Sequence, residues 1–274
     1  MPALELIAGQ TTDPGAVYTA LTSLLGNSFT LRSSREGEPV YLIQAMNHAT
    51  DAVTDPAVFS RIRSPLMHDN VVGITVAQLL LTDAVSPSQG LLNPIPRQKL
   101  VPQDTLTHEV SVSVAAGGIV HGGLLIYYAD LPGVDAVFIT PEELRTRALN
   151  YVTVENTITA LATGEWGTAE AINAETDLLK ANTLYALMGY FSPVRGAMVR
   201  YRASAWGNLG IGGPLANAGV IDTIRWFTDL SIQADIPLIP VFNSADDANI
   251  LIDICTDAAG ADVKLFTHLA QLSP

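Results

Sequence analysis

Two short segments contain residue types that enzymes use for catalysis or cofactor binding. His108-Glu109 begins the zinc-protease pattern His-Glu-x-x-His, but the second histidine position is occupied by Val112. Gly210 and Gly212 begin a dinucleotide-binding pattern, but its third glycine would fall at Leu215. Both patterns are incomplete, so the sequence predicts a protein that is not an enzyme and has no cofactor or metal.

The remaining titratable residues do not select a site either. The five histidines are scattered, with no pair at metal-ligand spacing. Asp246-Asp247 and the pair Asp51 and Asp55 carry carboxylates of the kind found in calcium loops, although such acids more often solvate a turn. A glycosidase would need two acids facing each other across a groove, and that separation depends on the fold.

Four side chains are candidates for contacts with a partner molecule. Trp206 adjoins the glycine-rich segment 207–219, which we predict to be a loop because it has too many glycines for a regular element. A large aromatic ring at such a place is typical of a contact residue. The other three candidates are the arginines of the densest basic stretch, Arg195, Arg200 and Arg202.

Short strands, with few helices, must position these residues. Thr107–Val114 alternates valines with polar residues, as a half-buried strand does, and Asp229–Ile236 alternates in the same way. Thr140-Pro141-Glu142-Glu143 is typical of a helix start, with a capping residue, a first-turn proline and two acids. Many short strands separated by turns rich in proline and glycine favour a sandwich or a barrel.

One motif occurs twice along the chain. Leu124–Thr140 and Leu251–Thr267 align without a gap, and each reads as an apolar strand, an Asp/Gly turn and a second strand that ends in threonine. Their offset is nearly half the chain. We therefore predict an all-β protein of two tandem antiparallel β-sandwich, jelly-roll-like domains with a few short helices. The helix start at Pro141 divides these domains into residues 1–140 and 141–274.

Composition limits the classes of partner. Only 15% of the residues are charged, so we expect much of the surface to be covered by neighbouring subunits. A net charge of −13 argues against strong direct binding of nucleic acid, which needs clustered lysine and arginine. We find no signal peptide and no apolar run of transmembrane length, so we expect the protein to be made in the cytoplasm.

In its predicted architecture the chain resembles the double jelly-roll major capsid proteins of tailless icosahedral viruses. The resemblance rests on the Leu124–Thr140 and Leu251–Thr267 repeat and on the predicted number of strands. It implies a structural, self-assembling coat protein of the virion whose three copies form a pseudo-hexameric capsomer. Its partners would be further copies of itself and other virion proteins, and the family contributes no catalytic residues.

Two other functions remain open at this point. A tandem β-sandwich could be a binding module, such as a virion-decorating protein, an adhesin or a lectin-like domain, with Trp206 as its contact residue. A glycan-active enzyme on the same scaffold would need converging acids. The acids considered for that role are Glu109, Glu155, Glu165, Asp246 and Asp247.

Overall fold

The structure is a computed structural model of the whole chain. It describes residues 1–12, 14–24, 29–35, 37–49, 57–66, 74–79, 89–91, 97–112, 119–159, 165–174, 178–193, 198–215, 223–256 and 262–274. Asp51 and Asp55, which the sequence offered as calcium ligands, and Arg195, a candidate contact residue, lie outside these residues.

The described residues form nineteen strands and two α-helices. The strands are β1 (Ala3–Thr12), β2 (Thr19–Ala20), β3 (Thr22–Ser23), β4 (Val40–Ala49), β5 (Ala57–Arg63), β6 (Ile74–Leu79), β7 (Gln89–Leu91), β8 (Gln98–Leu100), β9 (Thr107–Val112), β10 (Ile119–Tyr128), β11 (Val137–Ile139), β12 (Ala148–Thr159), β13 (Glu170–Ala171), β14 (Leu184–Phe191), β15 (Met198–Arg202), β16 (Gly210–Pro214), β17 (Ile239–Asn243), β18 (Leu251–Cys255) and β19 (Asp262–Leu272). The helices are α1 (Pro141–Arg147) and α2 (Trp226–Ala234).

The predicted helix start at Thr140 is present and has a full capping box. The Thr140 hydroxyl accepts a hydrogen bond from the Glu143 backbone N–H, and the Glu143 carboxylate accepts one from the Thr140 backbone N–H. Pro141 occupies the first turn, where the missing N–H leaves no intrahelical bond unmade. The chain then passes from α1 directly into β12.

The chain divides into two compact units. One contains Glu5–Pro132, and the other contains Gly133–Pro274 together with Met1–Leu4. The division therefore precedes β11, whereas the sequence division fell after Thr140. The reason is strand pairing: Val137–Ile139 is hydrogen-bonded to β17 of the second unit.

Each unit is a sandwich of two sheets. In the first unit the sheets have the orders β3-β1-β10-β4-β7, with β8 also paired to β4, and β2-β9-β5-β6. In the second unit the orders are β11-β17-β14-β19-β12 and β13-β18-β15-β16. Side chains meet between the sheets, as when the Tyr201 hydroxyl of β15 lies 2.9 Å from the Thr267 hydroxyl of β19.

The same strand order occurs in both units. When the eight principal strands of each are counted along the chain, one sheet runs first–eighth–third–sixth and the other second–seventh–fourth–fifth. In the first unit these strands are β1, β2, β4, β5, β6, β8, β9 and β10; in the second they are β12 to β19. Eight antiparallel strands in two such sheets are a jelly roll, so the all-β sandwich prediction is confirmed.

The sequence repeat, however, is aligned one strand out of step. It matched β10 with β18, but β10 is the eighth strand of its unit and its counterpart is β19. The counterpart of β18 is β9. Every such strand is an apolar run between turns, so neighbouring strands resemble one another as closely as equivalent ones do.

The strand predicted at Asp229–Ile236 is wrong, because these residues belong to α2 and the turn after it. Their burial follows a helical period: Trp226, Phe227, Leu230, Ser231 and Ala234 are buried, whereas Ile232 is 56% exposed. The helix ends at Asp235, whose backbone is left-handed with φ 54°.

The loop predicted at 207–219 is also wrong in part, because Gly210–Pro214 is strand β16. Its glycines are required by close approach rather than by flexibility. A Cβ on Gly212 would lie 2.0 Å from the Val199 carbonyl oxygen, and one on Gly210 would lie 2.3 Å from Cδ of Arg200. A neighbouring strand can lie this close only where side chains are absent.

Candidate functional site

In the first unit, an arginine pair meets a carboxylate on the outer face of the second sheet. Arg61 and Arg63 are two residues apart on β5, and Glu109 is directly opposite Arg61 on β9. One Glu109 carboxylate oxygen accepts from Nε of Arg61, and the other accepts from Arg63 at 3.0 Å. The intervening Ile62 is buried, so the two arginines point away from the core.

In the second unit, the same arrangement occurs on the corresponding strands. Arg200 and Arg202 are two residues apart on β15, and Asp253 is directly opposite Arg200 on β18. Arg200 donates to both oxygens of Asp253, at 2.8 and 2.7 Å, and Arg202 donates to one of them at 2.9 Å. Tyr201, between the arginines, points into the core.

An aromatic ring covers the first arginine of each pair. The Arg61 guanidinium carbon lies 4.1 Å from the ring centre of Tyr18, and that of Arg200 lies 4.1 Å from the ring centre of Trp166. Both aromatic residues precede the second strand of their unit, β2 or β13. Contacts of this kind contribute roughly 0.5–2 kcal/mol, more where water is excluded.

The two groups are therefore equivalent, and we call them the arginine clusters. The first cluster is Tyr18, Arg61, Arg63 and Glu109, and the second is Trp166, Arg200, Arg202 and Asp253. Each holds its first arginine from one side by a carboxylate and from another by a ring. The second unit adds Gly210, over which the methylene stem of Arg200 lies.

Burial differs between the clusters. The side chains of Arg200 and Asp253 are only 6% and 2% exposed, whereas that of Arg61 is 28% exposed. A buried ion pair adds little net stability to the fold, because the cost of desolvation offsets the attraction. Removal of one partner is nevertheless strongly destabilising, because it leaves an uncompensated buried charge. The second arginines, Arg63 and Arg202, remain 29% and 34% exposed.

The side chains of the clusters are of types better suited to binding an anion than to acid–base chemistry. Each carboxylate is already the acceptor of two guanidinium groups, which leaves it unsuited to act as a base or a metal ligand. Two arginines and one acid leave each cluster one positive charge in excess. Guanidinium groups recognise carboxylates and phosphates through parallel N–H donors.

A second polar group lies inside the first unit. The Asn47 side-chain amide donates to the Ser60 hydroxyl, and the Ser60 hydroxyl oxygen lies 3.1 Å from Nε2 of His108. His108 is completely enclosed, and this burial lowers its pKa from 6.5 to about 4. Gly122 makes room for the ring, because a Cβ there would lie 2.7 Å from Cε1 of His108.

Ser60 and His108 do not form a hydrolytic site. A serine nucleophile needs access to substrate and a histidine oriented by a third group. Ser60 is 1% exposed, and Nδ1 of His108 has no hydrogen-bond partner among the described residues. The pair is part of the core, where together with Asn47 it joins β4, β5 and β9.

The structure places the predicted contact residues differently from one another. Trp206 is 1% exposed; its indole N–H donates to the Val241 carbonyl at 3.3 Å, and its ring meets Phe242 edge-on. It is a core anchor. Arg200 and Arg202 come together in the second arginine cluster.

Sequence reasoning missed the other members of the clusters. The signal was present as the pattern Arg-x-Arg at 61–63 and at 200–202, but the same pattern at 145–147 lies in α1, so it does not mark a cluster by itself. The acids could not be assigned, because Asp253 and Glu109 reach the arginines only through strand pairing.

Among the described residues, no group of three or more histidine, cysteine, aspartate or glutamate side chains could hold a metal ion. The described helices include none that is long and apolar enough to cross a membrane.

The solved structures that align with the chain include two that align over its whole length. The major capsid protein P2 from bacteriophage PM2 is 6% identical, with all of this chain and 98% of that chain covered and a TM-score of 0.26. The cryo-EM structure of the T=1 Penaeus vannamei nodavirus is 12% identical, with 100% and 99% covered and a TM-score of 0.21. These TM-scores are too low to carry an argument, so the fold assignment rests on the strand order. No family model and no curated protein matches the chain.

Proposed function

We propose that the protein is a structural, self-assembling coat subunit of a virion. The observation that carries the proposal is the occurrence of the same eight-strand order twice in one chain. Jelly rolls are found in viral capsid and lectin domains and in cupins. A chain with two similar units gives a trimer six similar edges, which suits hexagonal packing into a shell.

The second unit has exposed apolar residues on the two edge strands of its first sheet. Its first sheet ends in β11 on one side and β12 on the other. Val137 on β11 is 50% exposed, and Leu149 and Tyr151 on β12 are each 64% exposed. Large apolar side chains at a sheet edge favour association with another chain.

The composition supports the same function. With 48% hydrophobic and only 15% charged residues, the chain has few of the lysines and glutamates that keep an isolated surface in water. The lectin-like alternative has lost its proposed contact residue, since Trp206 is buried. For the glycan-active alternative, Glu109 and Glu155 are already engaged in ion pairs with arginine and lysine.

The test is the assembly state of the full chain. Size-exclusion chromatography with light scattering should give a mass three times the 29.1 kDa of the chain, and negative-stain microscopy should show capsomers or shells. The double variant Leu149→Ser/Tyr151→Ser should weaken association. Ile232→Ser, which alters an apolar residue of α2 that is 56% exposed and lies outside these edges, is the matched control. A wild-type chain that stays monomeric at high concentration would refute the proposal.

A further inference from the structure

Both arginine clusters leave the same donor unused. Nε of Arg63 and Nε of Arg202 are enclosed and have no hydrogen-bond acceptor among the described residues. Each belongs to the second arginine of its pair. An enclosed donor without an acceptor destabilises the structure, because the donor has lost its hydrogen bond to water.

Because the Nε donor lacks an acceptor in both clusters, chance packing is a poor explanation for it. The clusters differ in their acid, glutamate or aspartate, and in their ring, tyrosine or tryptophan. They also differ in the residue between the arginines, which is Ile62 or Tyr201. In spite of these differences the same nitrogen is left over. In the second cluster the indole N–H of Trp166 also lacks an acceptor within the described part of the chain.

The second arginines are positioned for a group from outside. Their side chains are 29% and 34% exposed. The first arginine is 6% exposed in the second cluster and 28% exposed in the first, so only the second cluster buries its first arginine. Each second arginine donates to the carboxylate through one terminal nitrogen, Nη1 of Arg63 or Nη2 of Arg202. An outside group reaches Nε only if the second guanidinium turns that edge outward, a movement that leaves the pair of first arginine and carboxylate in place. The Nε edge of a guanidinium is a two-donor fork that fits a carboxylate.

Charge favours one occupant. Each cluster has an excess of one positive charge, in a chain with 27 acidic and 14 basic residues. Two such isolated charges would release few counterions, which is too little for stable binding to nucleic acid. Another copy of the chain, by contrast, offers many carboxylates, and local pairing of opposite charges is what two acidic surfaces need in order to approach each other.

We propose that the two arginine clusters are equivalent docking points for a carboxylate side chain of a second copy of this chain. The proposal rests on the proposed function, which it deepens by naming the polar contacts between subunits. In an assembly built from two similar units per chain, each cluster would serve one of the two kinds of unit, which explains why the cluster occurs twice.

The experiment measures self-association of the full chain by sedimentation velocity over a range of protein and salt concentrations. Arg63→Gln and Arg202→Gln are compared singly and together, and differential scanning fluorimetry identifies any variant that fails to fold. Arg145→Gln is the matched control, because it makes the same change in charge at an exposed arginine of α1. Arg202→Lys keeps the charge and removes the fork.

Each single variant should weaken association about tenfold or more, as expected for the loss of a charge-assisted hydrogen bond, and the double variant should weaken it further. High salt should weaken the wild type more than the double variant. Arg145→Gln should leave association within about twofold of wild type, and Arg202→Lys should recover only part of the loss.

Four results would overturn the inference. Unchanged association of the double variant would show that water fills the donors, and the proposed function would stand. A loss in Arg145→Gln equal to that in Arg202→Gln would show an effect of net charge alone. A fluorescent single-stranded oligonucleotide that binds wild type but not the double variant, with self-association unchanged, would identify phosphate as the occupant. A monomeric wild type would remove both proposals.

Discussion

The buried ring of His108 predicts that the Glu5–Pro132 unit loses stability in acid. In the native state its pKa is about 4, whereas the ordinary value, which the unfolded chain recovers, is 6.5. Between these values the unfolded state binds a proton that the native state does not, so the free energy of unfolding falls as the pH falls. One pH unit of difference corresponds to about 1.4 kcal/mol, and the whole gap therefore to about 3 kcal/mol.

Most of this loss falls between pH 7 and pH 4.5, where it amounts to about 2 kcal/mol. Urea denaturation followed by far-UV circular dichroism measures the free energy of unfolding at the two pH values. Tryptophan fluorescence follows the other unit separately, because all three tryptophans lie in Gly133–Pro274. The variant His108→Gln cannot take up a proton there. Its free energy of unfolding should fall by about 2 kcal/mol less than that of wild type over this range.

Ser60→Ala is the control, because it removes the hydrogen bond to Nε2 of His108 but keeps the imidazole. It should lower the free energy of unfolding at both pH values and retain the extra loss in acid. If His108→Gln and wild type lost the same amount between pH 7 and pH 4.5, the native ring would be protonated or hydrated, and the argument from burial would be wrong.

Three further predictions concern residues of the second unit, and the first of them compares Asp253 with its counterpart Glu109 in the first unit. Asp253→Asn should cost about 3–5 kcal/mol in urea denaturation, because it leaves Arg200 as an unpaired buried charge, and Glu109→Gln should cost less, because its arginines are more exposed. Equal losses in the free energy of unfolding for the two variants would contradict the argument that burial of the arginines sets the cost. Gly210→Ala should displace Arg200, since its Cβ would lie 2.3 Å from Cδ, and should lower the melting temperature; an unchanged value would show that the side chain can move freely. Thr140→Ala should cost about 1 kcal/mol through loss of the helix cap, and no loss in chemical denaturation would show that the cap contributes nothing.

Local signals in the sequence were reliable where the chain itself supplies the whole interaction. The capping box at Thr140 and Glu143 needs only residues three apart, and it was predicted from them. The alternation over Thr107–Val114 likewise predicted a strand, and β9 covers Thr107–Val112, although His108 to Val112 are buried on both faces rather than on one.

The same alternation gave a wrong prediction at Asp229–Ile236, where packing against the rest of the unit favours a helix. A helix that packs one face on a sheet can show apolar residues at alternate positions by chance, and Ile232 is such a residue. The glycine-rich segment failed for a related reason. Glycine disfavours a strand in isolation, but Gly212 lies where the Val199 carbonyl leaves no space for a side chain.

By itself the sequence determined that this protein is apolar, acidic and all-β, whereas the repeat that predicted two similar halves had matched strands that are not equivalent. These properties follow from composition and from periodicity along the chain. Which strand corresponds to which was decided only by the tertiary structure, because apolar strands resemble one another and hydrogen bonding between distant segments sets their order. The arginine clusters likewise form only in the tertiary structure. Arg200 and Asp253 are far apart in sequence, and strand pairing alone sets them opposite each other, with Trp166 over the guanidinium.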